Sequence, residues 1–174
     1  MEKTRLGPLP PEEWSEDIGD MRDSFAGQLN VYRTMAHHPE LLRSWAPLRK
    51  HIVLENALGN ERLEIAILRI AAKLGSAYEW EHHTVRSKKL GLEPDRIQAM
   101  KGKTDDLPPD DRLVAECVDA LLADTKLNGT ALEHLKTLVG TAGVLDLMAT
   151  VGFYKTLGCI AETFEIPRDD VSET

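Results

Sequence analysis

Apolar residues recur at three- and four-residue intervals along most of this chain, the spacing of helices that bury one face. Phe25, Leu29, Tyr32 and Met35 form such a stripe and predict a helix over Met21 to Ala36. His37-His38-Pro39 closes it, because the residue before a proline disfavours helical geometry. Leu41, Trp45, Leu48 and Ile52 predict a second helix from Glu40 to about Leu58, with Pro47 a point where it kinks or divides. Asn60 is a good cap for a third, largely apolar helix running to Gly75. Ser76-Ala77-Tyr78-Glu79 then has the S-x-x-E form of a capping box and opens a fourth, ending at Gly91. A short helix starts at Pro94, and a longer one runs from Pro108-Pro109-Asp110 through Leu113, Val114, Cys117, Val118, Leu121 and Leu122. Thr130-Ala131-Leu132-Glu133 repeats the capping pattern before a helix that ends around Gly140. The last helix, Thr141 to about Glu165, is mostly apolar. Gly152 and Gly158 favour close helix approach, so it is expected near the centre or at a subunit contact. Residues 1–13, with Pro8, Pro10 and Pro11, read as an extended arm, and the acidic residues after Ile166-Pro167 as a frayed tail. No stretch alternates with the period of a strand. The fold class that follows is all-α.

At 174 residues and 42% hydrophobic content the chain can bury a substantial core, and 1–174 reads as a single domain. Its formal charge of −8, with no basic tract, argues against nucleic acid as a partner and against electrostatic attachment to anionic membranes. No apolar run approaches the roughly 18 residues of a membrane span and no signal core opens the chain, so a cytoplasmic protein is expected. Cys117 and Cys159 fit neither a zinc pattern nor a redox pair.

The chemistry concentrates between Asn60 and Gly91. Successive residues of the third helix turn by about 100°, which puts Glu61, Arg62, Arg69 and Lys73 on one polar face. Glu64 falls roughly opposite, among Ile67, Leu68 and Ala71, where a lone charge would be costly; it must be paired, hydrogen-bonded or protonated. In the fourth helix Glu79, His83, Arg86 and Leu90 share a face, with Trp80 beside it. An acid, an imidazole and a guanidinium in a row could handle a proton and hold an anionic group. They could equally be a capping acid, an i,i+4 pair and a solvated arginine.

Glu64, the Gly75-Ser76 break, Tyr78-Glu79-Trp80 and His83 together resemble the core of the carboxymuconolactone decarboxylase family, which includes the alkylhydroperoxidase D-like (AhpD-like) proteins. His38-Pro39-Glu40-Leu41 followed by Trp45 resembles the stretch before that core, and the likeness covers about residues 37–103. In the family's peroxidase branch a glutamate precedes a C-x-x-C motif, and a histidine follows the second cysteine by four residues. Glu64 and His83 match the glutamate and histidine, whereas Ser76 and Glu79 stand at the cysteine positions. Without a thiolate and a resolving thiol, the peroxide-reducing cycle cannot run at this site.

The resemblance implies an AhpD-like helical bundle of about seven to eight helices, a homo-oligomer (trimer or hexamer), and a small-molecule substrate of the decarboxylase branch. Catalytic roles are expected for Glu64, Glu79 and His83 and substrate-binding roles for Arg86, Trp80 and Tyr78, in decarboxylase, isomerase or lyase chemistry with no cofactor. Thiol-dependent hydroperoxide reduction is the rival, and would need Cys117 or Cys159 to replace the missing pair. A metal site is not expected: Glu79-Trp80-Glu81-His82 is an E-x-x-H without a second copy, and His37-His38 has no matching ligand set. A non-catalytic, ligand-binding homo-oligomer is the remaining alternative; it predicts Glu64 paired only with a structural partner such as Arg62 or Arg69, and no cavity beside it.

Overall fold

Eight α-helices succeed one another along residues 6–169, the part of the chain that the computed structural model describes. They are α1 (Phe25–Gln28), α2 (Asn30–Met35), α3 (Pro39–Lys50), α4 (Asn60–Leu74), α5 (Ala77–Lys89), α6 (Pro94–Ala99), α7 (Pro109–Asp124) and α8 (Gly129–Thr163). No strand occurs among the described residues, so the protein is all-α, in one packed unit. The outer residues of the expected arm and tail, 1–5 and 170–174, lie outside the described residues.

The axis of the molecule is α4. Every residue from Leu63 to Ala71 is buried, as suits a helix that packs on α5, α7 and α8 at once. Gly59 takes the cap position with φ 82°, and Asn60, expected there, is the first helical residue. Arg69 departs from the expected polar face: it is buried, bidentate to Asp119 of α7 at 2.8 and 2.6 Å, and donates to the Met100 and Gly102 carbonyls at 2.9 and 2.8 Å. A charge is tolerated inside only with its hydrogen bonds made in this way. The side chain thereby ties α4 to α7 and to the end of α6.

Ahead of α4 the chain is more broken than its stripes predict. In place of one helix over 21–36 there is a 3₁₀ segment, Glu16–Met21, then α1 and α2. Ser24 Oγ accepts the Ala26 amide at 3.2 Å, and Leu29 is extended between the two short helices. The next helix begins at Pro39, where His38 accepts the Leu41 amide at 3.4 Å, and passes through Pro47 into one π turn, His51–Glu55. Leu42, Ile52 and Val53 are its buried residues, while Leu41 and Leu48, assigned to the stripe, are exposed. Adjacent leucines at 41 and 42 leave the phase of the pattern open.

The two helices expected over 130–165 are segments of α8, which breaks inside at Gly140 (φ 70°, ψ 175°). Asn128, not Thr130, caps it, accepting the Ala131 amide at 2.9 Å. By length and composition α8 could cross a membrane, yet it packs against α4 and α7 as a core helix does.

Candidate functional site

The corner between α4 and α5 fixes the site. Gly75 takes left-handed geometry (φ 68°, ψ 22°), and the Gly75 and Ser76 amides donate back to the Ala72 and Ala71 carbonyls at 3.4 and 3.0 Å, a Schellman closure. Ser76 at once caps α5, its Oγ accepting the Glu79 amide at 3.5 Å. With the Ser76 amide already engaged, Glu79 does not return to it as a capping box would require. Its side chain turns inward, and the residue is buried.

This turn brings α5 alongside the middle of α4. His83 Nδ1 lies 2.7 Å from Glu64 Oε2, and both residues are buried. Arg86 approaches the other carboxylate oxygen, Nε 3.1 Å from Glu64 Oε1, and its Nη2 donates to the Val53 carbonyl at 3.3 Å. Glu64 therefore has an imidazole and a guanidinium as partners, and neither Arg62 nor Arg69. On the far side of the ring, His83 Nε2 is 3.7 Å from Glu79 Oε2, beyond hydrogen-bond length. A proton on Nδ1, given to Glu64, leaves the Nε2 lone pair directed away from Glu64.

Glu79 and His83 line a cavity of about 340 Å³, within the range of small-molecule sites. Arg86 and Tyr78 share its wall, joined by Tyr32 of α2, Arg49 of α3, and Tyr154 of α8. Tyr154 meets His83 edge-on with ring centroids 5.0 Å apart. Glu64 stands behind His83. Burial, followed by the negative charges of Asp169 and Glu162, pushes the Glu79 carboxyl up to about 8. Its Oε1 is buried with no hydrogen-bond partner among the described residues. Burial also raises the Tyr32 and Tyr154 phenols above their ordinary range, keeping both as neutral hydrogen-bonding groups.

Of the residues singled out in the sequence, Glu64, His83, Glu79, Arg86 and Tyr78 come together, and Trp80 does not. Trp80 lies on another face of α5, with Lys101 Nζ 4.0 Å from its ring centroid. Trp45 likewise stacks on Phe153 at 4.6 Å and does not line the cavity. Arg86 is partly committed to Glu64, so the cavity has a further cation in Arg49, whose guanidinium carbon lies 4.0 Å from the Phe25 ring centroid. Cys117 is buried, which pushes its thiol up to about 11, and Cys159 is exposed; neither lines the cavity. Among the described residues no three His, Cys, Asp or Glu side chains are grouped to hold a metal ion.

The tail also departs from expectation. Asp169 Oδ1 accepts the Asn30 amide at 2.8 Å, its Oδ2 accepts the Tyr78 hydroxyl, and His82 Nε2 lies 2.9 Å from that same oxygen.

Solved structures share this architecture. An alkylhydroperoxidase AhpD core, an uncharacterized peroxidase-related protein from Ralstonia eutropha, superposes with a TM-score of 0.78 at 18% identity, covering 95% of this chain and 93% of that one. An uncharacterized peroxidase-related protein from a Silicibacter species gives 0.75 at 14% identity, over 98% and 91%. A protein of unknown function from Agrobacterium tumefaciens gives 0.67 at 21% identity, over 76% and 92%. No curated protein matches the sequence significantly. The fold is thus the AhpD-like helical fold. Residues 39–102 match the model of the carboxymuconolactone decarboxylase family, and the sequence contains no C-x-x-C motif.

Proposed function

We propose that the protein is a non-redox acid/base enzyme of the decarboxylase, isomerase or lyase kind, acting on a small carboxylate or lactone-like compound. The observation that carries this reading is the pairing of a Glu64-anchored imidazole with a second, separately buried carboxyl on one cavity wall. His83 Nε2 is the base: Glu64 accepts the hydrogen bond from Nδ1–H, holds the ring in that tautomer and steadies the imidazolium that forms when Nε2 takes a proton. Glu79, holding its proton near neutral pH, is the acid. A substrate bound against both would lose a proton to the imidazole and gain one from the carboxyl, which burial keeps protonated at neutral pH. Arg49 and Arg86, cations on one cavity of a chain with formal charge −8, favour an anionic substrate. The apolar side chains of Phe25, Leu29, Val53 and Leu157 suit its hydrocarbon part.

The test is solvent deuterium exchange at the carbon next to a carbonyl or carboxyl group, followed by NMR over a panel of small keto acids and lactones. Glu64→Gln and His83→Gln are expected to slow exchange by about 10²–10⁴-fold, and Glu79→Gln to slow product formation. Exchange as fast in His83→Gln as in the parent would overturn the assignment. Thiol-dependent peroxide reduction is tested in the same preparation: under the acid/base reading, the Cys117→Ser, Cys159→Ser double variant consumes peroxide no more slowly than the parent.

A further inference from the structure

The end of the described chain is tied down residue by residue. Ile166 is buried and its amide donates to the Ala161 carbonyl at 2.9 Å. The Pro167 carbonyl accepts from Asn30 Nδ2 at 3.1 Å, and Arg168 pairs with Glu81. Asp169 then converges on three groups at once, the Asn30 amide, the Tyr78 hydroxyl and the His82 ring, with its side chain only 6% exposed. A carboxylate this deeply buried is retained only where such partners meet it.

Tyr78 and His82 are one turn apart on α5, their ring centroids 4.8 Å apart, and both line the cavity. Asp169 does not line it; it stands behind them. The Tyr78 hydroxyl accepts the Val31 amide at 3.3 Å and donates to Asp169, which fixes the ring from both sides. We propose that Asp169 is a positioning residue of this site: by docking the C-terminal segment on α2 and α5 it holds Tyr78 and His82 in the cavity wall and sets a negative charge behind Glu79. The proposal rests on the reading of Glu79 as the acid of the site.

The charge has a direct consequence. After burial itself, Asp169 is the largest influence that keeps the proton on Glu79, ahead of Glu162. The other ionisable groups around Glu79 are Tyr32 of α2, Arg49 of α3, Tyr154 of α8, and Tyr78, His82, His83, Arg86 and Lys89 of α5, with Glu64 of α4 behind the ring. With Asp169 docked, the acid is charged with its proton at neutral pH. With the segment released, Glu79 ionises at lower pH and the pH range in which it can donate a proton narrows.

The experiment is a ¹³C NMR titration of the Glu79 carboxyl in the full-length protein, in the parent, Asp169→Asn and Asp169→Ala. Asp169→Asn keeps an acceptor of the same shape but removes the charge. The Glu79 midpoint is expected to fall by about half a pH unit or more in both variants. In Asp169→Ala the Asn30 amide is also expected to exchange faster with solvent, since its acceptor is gone. A Glu79 midpoint that does not move overturns the electrostatic role, and unchanged Asn30 exchange overturns the docking. A purely structural Asp169 would lower Tm without moving the Glu79 midpoint. The titration uses no substrate, so its failure is distinct from a failure of the Glu64 and His83 variants to slow deuterium exchange.

Discussion

Glu79 carries a measurable signature of the site in the stability of the whole protein. An ordinary carboxyl at 4.5 is ionised in the unfolded chain above that pH, whereas in the native protein it keeps its proton up to about 8. Between those values the native state binds more protons than the unfolded state, so this group makes stability fall as pH rises. The stabilisation is whole below about 4.5 and is lost as pH climbs through 8. Glu79→Gln, neutral throughout, is expected to flatten the decline in Tm between about pH 5 and 9. At pH 9 it should be more stable than the parent by a few kcal/mol, on the order of what a shift of this size represents. Thermal denaturation monitored by circular dichroism checks it. Glu64 was legible because an acid inside an apolar run has few innocent explanations, whereas Glu79 and His83, which could equally have been a cap and an i,i+4 pair, stood out only beside it and through the family resemblance. Tyr32 and Arg49 were not legible: one sat in an ordinary amphipathic stripe and the other among solvated positions, and only the tertiary packing, α2 against α3 and α8, turns them towards the cavity. Asp169 was hidden for another reason, since an acidic residue past a helix-ending proline reads as solvated until its partners, far away in sequence, are known.

Among the elements, α8 depends most on a single position. Gly140 adopts φ 70° and ψ 175°, a region that L residues with a side chain enter only at a cost of about 1–3 kcal/mol. Gly140→Ala is therefore expected to destabilise by about that amount, read as a shift of the urea unfolding midpoint with little change in slope. No Cβ clash contributes, because the space around that atom is open, so the loss would report backbone strain alone. The long helices were readable from three-and-four spacing because their apolar faces are continuous. The region before α4 was less so, since Ser24 and the extended Leu29 interrupt a stripe whose spacing looks unbroken. Leu41 and Leu42 pose the same difficulty in miniature, where either residue satisfies the pattern and only the tertiary structure chooses.

For the molecule as a whole, the family likeness proposes a trimer or hexamer, and the surface offers apolar side chains that an assembly could cover. Leu54 and Leu145 are 63% and 61% exposed, with Met148 on the same helix as Leu145 and one turn further on. Light scattering is expected to give a mass well above 19.4 kDa for the parent and a lower one for Leu54→Lys combined with Leu145→Lys. A monomer in both would remove the assembly from consideration. The single all-α domain was legible from composition and periodicity together. Its internal ties were not: the Arg69 and Asp119 pair joins helices whose charged positions, viewed one at a time, looked like solvated faces.

The corner at Gly75 and Ser76 has a final implication. Because it contains no slack, the rotational phase of α5 against α4 is set by residue count: one inserted residue there would swing everything downstream by about 100°, carrying the imidazole away from Glu64. Side chains at this junction can therefore be exchanged, a thiol for a hydroxyl or a carboxyl, and the chemistry rewritten, so long as the number of links stays the same. Length, more than letter, is what this scaffold defends.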